Sequence, residues 1–136
     1  MKNLAMMTVV FCAASLTALA AGIDGKWISE MQVGDADGKT YSHTTTLTLK
    51  SDGGSLTGTA VQTSEAPWMH ELTGRSVEIS DGKIDGDKFS FKLTVDTKQG
   101  QRTSVYEGTV EGDYLKGTIK YRGIGISRPF DAKRAN

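Results

Sequence analysis

Beyond its first twenty residues this chain alternates. In Phe89-Ser-Phe91-Lys-Leu93-Thr-Val95 every odd position is apolar and every even one polar. A period of two sends successive side chains to opposite faces of an extended strand, so such a run buries one face and wets the other. Asp-Gly pairs interrupt runs of this kind about every ten residues, and no convincing helical period replaces them. A chain built this way is all-β, with many short strands joined by turns.

Eight strands can be read in order. Residues 26–33 put Trp27, Ser29, Met31 and Val33 on one face, and 40–50 put Tyr41, His43, Thr45, Leu47 and Leu49 together. Residues 56–62 align Leu56, Gly58, Ala60 and Gln62. The fourth run, 77–84, breaks parity at Asp81-Gly82, which predicts a β-bulge. Residues 88–96 form the fifth. Residues 103–111 turn Tyr106, Gly108 and Val110 inward, and 114–122 do the same for Leu115, Gly117, Ile119 and Tyr121. The last, 127–134, places Arg128, Phe130, Ala132 and Arg134 on one face. Pro129 lacks an amide proton, so this strand is expected to begin irregularly or at a bulge. Inward glycines follow inward apolar residues in Leu56-Thr-Gly58, Tyr106-Glu-Gly108 and Leu115-Lys-Gly117, a spacing that lets strands coil sharply. Eight sequential antiparallel strands of this kind close into a single up-and-down β-barrel, which removes sheet edges. Connections at 51–55, 85–87 and 112–113 are short; those at 34–39, 63–75, 97–102 and 123–126 are longer, and 63–75 is the longest. The barrel is therefore expected to be closed at one end and open at the other.

The first twenty residues belong to a different physical class. Lys2 supplies a positive start, residues 4–19 are almost unbroken apolar sequence, and Ala18-Leu19-Ala20 is an A-x-A cleavage site. Residues 1–20 read as a secretory signal peptide and 21–136 as one exported domain, periplasmic or extracellular. Phe11 is too bulky for the position before a lipidated cysteine, so Cys12 does not read as a lipid anchor. Cys12 is the sole cysteine; its removal with the leader leaves a domain that folds without disulfides. Loss of Lys2 leaves 15 basic against 16 acidic residues, a net charge near −1. That balance gives no electrostatic reason to expect nucleic acid or stable membrane insertion.

The stretch Gly22-Ile-Asp-Gly-Lys-Trp27 carries Gly-x-Trp at the start of the first strand. In this it resembles the calycin superfamily of lipocalins, fatty-acid-binding proteins and avidins. The resemblance implies that Trp27 plugs the closed end, with a basic residue of the last strand covering it, and Arg134 has the matching parity. Within the superfamily, Gly22–Trp27 and Asp52-Gly-Gly-Ser-Leu-Thr-Gly-Thr59 look most like the first and third strands of avidins. Ala60 stands where avidins place a biotin-contacting tyrosine, and Ser29 where they have an amide or acid, so the resemblance implies the barrel without biotin binding. The turn Ser80-Asp-Gly-Lys-Ile-Asp-Gly-Asp87 and the ending Phe130-Asp-Ala-Lys-Arg134 also resemble small secreted bacterial proteins with no assigned activity.

Motifs for chemistry are sparse. His70-Glu71 begins a zincin motif that lacks its second histidine, and with two histidines and no mature cysteine the zinc ligand count falls short. Asp35-Ala-Asp37-Gly38 and residues 81–87 lack calcium-loop spacing and the terminal glutamate. No Gly-x-Ser-x-Gly elbow exists, and no pair of acids points inward as glycoside hydrolysis requires. No catalytic residue, metal or cofactor is assigned. What remains is the open end. Tyr41, His43, Gln62, Tyr121 and Arg128 converge there by parity, above an apolar floor of Trp27, Leu47, Leu49, Leu56, Phe91, Leu93 and Phe130. Arg128 suits a ligand carboxylate. The long loop adds Trp68 and His70, with Pro67 and Met69, at an otherwise polar tip. Three readings are open. The first is a binding module for a small, partly apolar ligand using these seven residues. The second is an envelope protein that docks a partner through loop 63–75 on a filled barrel. The third is an enzyme with His43 or His70 as general base.

Overall fold

The computed structural model describes residues 22–123 and 125–135; the expected leader at 1–20, with Cys12, lies outside them. The strands are β1 (Gly25–Gly34), β2 (Thr40–Asp52), β3 (Ser55–Ser64), β4 (Ser76–Glu78), β5 (Ser80–Asp85), β6 (Lys88–Thr97), β7 (Gly100–Glu111), β8 (Tyr114–Tyr121) and β9 (Ile126–Arg134). A 3₁₀ helix, Pro67–Leu72, lies between β3 and β4. Every pairing is antiparallel; the strands follow one another around the sheet, with β4 and β5 sharing one place, and β9 returns to β1. The result is a closed eight-stranded antiparallel barrel with one extra strand.

The extra strand comes from the irregular fourth run. Its two pieces, β4 and β5, both pair with β3, and the register of β5 on β6 slips between Ser80 and Lys83, where Asp81 takes a φ of 50°. The bulge expected at Asp81-Gly82 is therefore present, within a run that is divided in two. The three turns at the closed end have two residues each, beginning with Gly53, Gly86 and Gly112 at φ of 64°, 63° and 65°. Positive φ at the first position alone is the type II′ hairpin, whose twist matches that of the strands.

Alternation fills the barrel. Trp27, Leu47, Leu49, Leu56, Phe89, Phe91, Leu93, Tyr106, Leu115, Ile119, Phe130 and Ala132 belong to one buried cluster. Phe91 stacks on Tyr106 at 4.8 Å, and Tyr106 meets Phe130 edge-on at 5.2 Å. Gly108 and Gly117 face each other across β7–β8. A Cβ at Gly117 would stand 1.8 Å from the Glu107 carbonyl oxygen, and one at Gly108 would stand 2.1 Å from that of Lys116. The inward glycines thus serve close backbone approach, the condition for sharp coiling.

Trp27 closes the base. It is fully buried, and its Nε1 donates to the Ile23 carbonyl at 2.9 Å. The Arg134 guanidinium lies 4.2 Å from the ring centroid. Its Nη1 donates to the Asp24 carbonyl at 2.9 Å, its Nη2 to the Gly22 carbonyl, and its Nε to Asp113 at 3.2 Å. The Asp24 carboxylate in turn accepts from the Ser51 amide and hydroxyl, both at 2.7 Å.

Closure is uneven along the barrel. β1 pairs with β2 over its whole length, from Gly25↔Leu49 to Gly34↔Thr40. With β9 it pairs only at Trp27↔Arg134 and Ile28↔Lys133. Above that point β1 and β9 have no ladder between them among the described residues. Pro129 sits in this upper part of β9, in regular register with Thr118 of β8. The irregular start expected for this strand does not occur. The upper part of β9 is a local edge, and edges tolerate proline.

Arg134→Met is expected to lower the unfolding free energy by about 2–4 kcal/mol, through loss of the cation–π contact and of charge-assisted bonds to two carbonyls. Arg134→Lys restores the charge but not the planar fork and should recover only part of this. Urea denaturation checks both: the midpoint falls while the slope holds.

Candidate functional site: an open-ended cavity

The open end holds a cavity of about 460 Å³ above the aromatic stack. Its walls divide by strand. β1, β2 and β3 contribute a polar strip, Ser29, His43, Thr45 and Gln62, with Met31 beside it. The facing wall from β6, β8 and β9 is apolar: Leu93, Val95, Ile119 and Phe130. Tyr106, from β7, stands at the floor. The rim carries Arg102, Thr103, Ser104, Tyr121, Arg122 and Gly123. No aspartate or glutamate among the described residues lines the cavity.

Of the seven residues expected at the mouth, His43, Gln62 and Tyr121 line the cavity. Arg128 is exposed on β9, its guanidinium 6.0 Å from the Tyr121 ring centroid. Tyr41 is half-buried and turned to the β1–β2 loop. Its hydroxyl donates to Asp35 at 3.5 Å, and Trp68 packs on it edge-on at 5.5 Å. Trp68 remains 51% exposed, and His70 is exposed. Neither lines the cavity. The long loop instead sends Met69 and Leu72 over it. The loop forms a 3₁₀ helix, in which positions three apart share a face. Met69 and Leu72 are such a pair, and Trp68 and His70 fall on other faces. The loop is held to β3 by Thr73, whose Oγ1 donates to the Ser64 carbonyl at 3.3 Å.

Several lining residues escape a reading of the sequence. Ser29, Met31 and Thr45 fall on the expected inward faces, but nothing in their spacing attaches a role to them. Arg102 and Ser104 have the inward parity of Tyr106. Ser104 falls within the expected run 103–111, and Arg102 emerges once that strand starts at Gly100. Arg122 lies just past β8, its amide donating to the Thr103 carbonyl at 3.1 Å; alternation along the expected run 114–122 turns it outward, whereas the end of the strand at Tyr121 frees it to border the cavity.

His43 is the most constrained polar group. It is 7% exposed, and its Nδ1 is buried without a hydrogen-bond partner among the described residues. Burial lowers its pKa from the ordinary 6.5, and the Arg128 charge lowers it further. The ring is neutral at pH 7, with a donor or acceptor nitrogen aimed at surroundings that do not satisfy it. Such an orphan costs about 1–3 kcal/mol when nothing binds it. Burial also holds the Tyr106 hydroxyl above its usual 10.0; Tyr121 adds to the shift and Gln62 opposes it. That hydroxyl stays protonated at all physiological pH. Among the described residues no group of three or more His, Cys, Asp or Glu side chains comes together.

Compared with known proteins, the chain matches no family model, no curated protein and no solved structure.

The unfolded imidazole takes its proton at 6.5 and the folded one only at lower pH. The unfolded state therefore binds more protons in that window, and stability falls as pH drops from 6.5 toward the folded value. His43→Gln should remove this part of the slope in urea midpoints measured between about pH 7.5 and 5. In NMR titrations, Arg128→Gln should move the His43 pKa upward, toward 6.5 but not to it, because burial is the larger cause.

Proposed function

We propose that this domain is an exported binding module that holds a small, partly apolar ligand in the open end of a calycin-like barrel. The observation that carries this reading is a cavity of about 460 Å³ with one apolar wall and one polar strip. Small-molecule sites of a few hundred Å³ have this composition: apolar walls exclude water, and a few polar groups fix orientation. His43 lies in the strip, its buried Nδ1 without a hydrogen-bond partner among the described residues. The Trp27–Arg134 plug matches the arrangement that the resemblance implies, and the expected leader supports export to the periplasm or beyond.

A neutral imidazole in a cavity is also what a general base requires. A base is normally oriented by a third group; Nδ1 has none among the described residues. The geometry therefore favours recognition over catalysis. The docking reading draws on Trp68, which is 51% exposed on loop 63–75. It makes no use of the cavity below.

The test is an NMR titration of residues 21–136 with a panel of neutral and charged aromatic and aliphatic small molecules. Saturable shifts should appear at Met31, Leu93, Ile119, Phe130 and the His43 ring, while Leu47 and Leu115 in the base stay fixed. Shifts confined to Trp68 and Tyr41, or none at any panel member, would speak for a docking protein on an unused barrel.

A further inference from the structure

We infer that the ligand is a small monoanion: one negatively charged head, held at the rim by Arg102 and Arg122, on an apolar body that enters between the walls. This rests on the small-ligand reading above and specifies its chemistry.

The placement of arginine carries the inference. The chain has five arginines. Arg134 caps the base over Trp27. The other four, Arg75, Arg102, Arg122 and Arg128, all lie in segments at the open end. Arg102 and Arg122 line the cavity. They are neighbours where β7 meets the end of β8, because the carbonyl of Thr103, next to Arg102, accepts from the Arg122 amide. Their side chains thus border the same stretch of rim from β7 and from the end of β8.

The carboxylates of the open end, Asp35, Asp37, Glu65, Glu71 and Asp96, stand outside the cavity lining. Acidic and basic residues are equal in number over the chain, 16 of each, yet no carboxylate of the described residues lines the cavity. Among those residues the ion pairs are Lys92–Asp81, Lys120–Glu107 and Arg134–Asp113, and no member of any pair borders the cavity. Arg102 donates to Gln99 Oε1 at 2.9 Å, a neutral acceptor. Arg75 donates to the Asp96 carbonyl at 3.2 Å. Arg128 faces the Tyr121 ring. Asp35, on the β1–β2 loop, already accepts from the amides of Asp37 and Lys39, both at 2.9 Å. The Arg128 charge is close enough to the cavity to oppose protonation of His43.

Arg102 and Arg122 are exposed at the rim, and arginine there selects planar or tetrahedral oxyanions because its fork donates two parallel hydrogen bonds. Leu93, Ile119 and Phe130 below the rim give a second charge no partner, which limits the ligand to one anionic end. Carboxylate, sulfonate and phosphate diesters share this chemistry.

The test compares two probes that differ only in the anion: 8-anilinonaphthalene-1-sulfonate and its neutral parent, N-phenyl-1-naphthylamine. Both are titrated against residues 21–136 and against the double variant Arg102→Gln/Arg122→Gln, with near-ultraviolet circular dichroism confirming an intact fold. The wild type should bind the sulfonate about tenfold more tightly than the parent, the size of one charge-assisted hydrogen bond. The double variant should abolish that preference and leave the neutral parent unchanged. Equal affinity for the two probes in the wild type, or a preference that survives in the double variant, would overturn the monoanion while leaving the binding module standing. Failure of both probes to bind would overturn both.

Discussion

The contact between Arg134 and Trp27 decides how this barrel closes. An up-and-down sheet becomes a barrel only when its first and last strands meet. Here they meet in ladder register at two residue pairs, Trp27↔Arg134 and Ile28↔Lys133. The guanidinium reinforces that short seam from inside, lying over the indole and donating to carbonyls of the segment that precedes β1. Asp113 and Ser51 tie the neighbouring turns into the same plug through Arg134 and Asp24. The two ends of the domain are thus fixed together at one end of the molecule.

This closure sets up a gradient from base to rim. Below, the large fully buried side chains Trp27, Leu47, Phe91 and Leu115 fill the interior. Above, β1 and β9 part, the inward positions become Ser29, Thr45 and Gln62, and the space between the walls opens into the cavity. A barrel closed at one end by packing and hydrogen bonds can leave its other end underpacked, because the base supplies the rigidity. The buried, unpartnered Nδ1 of His43 and the arginine rim both lie at the looser end.

Most of the barrel is legible in the sequence because alternation is a property of each strand alone. The inward faces of the first three strands, the Asp81-Gly82 bulge and the short hairpins can all be read residue by residue. Relations between segments are what alternation misses. The short β1–β9 seam depends on how two distant strands diverge, and Pro129 in regular register makes sense only once that edge is known. At the site, parity points to Tyr41, His43, Gln62, Tyr121 and Arg128, of which His43, Gln62 and Tyr121 line the cavity. Arg102 escapes it because β7 begins earlier than its alternating run, and Arg122 because the strand expected to run to 122 ends at Tyr121 and leaves it in a turn. Loop 63–75 stands out for its tryptophan and histidine, yet the 3₁₀ period turns Met69 and Leu72 to the cavity instead. Residue type marks the segment, and local helix geometry chooses its face.

If a rigid plug supports a receptive open end, local stability must fall from base to rim, and a ligand must raise it only at the rim. Amide hydrogen exchange along the barrel, with and without saturating N-phenyl-1-naphthylamine, reads both. Amides around Trp27, Leu47, Leu115 and Ala132 should be the slowest and unchanged by the probe. Those around Met31, His43, Ser104 and Tyr121 should exchange faster and become protected when it binds. Uniform protection from base to rim, unaltered by the probe, would instead describe a barrel filled throughout, with no receptive end.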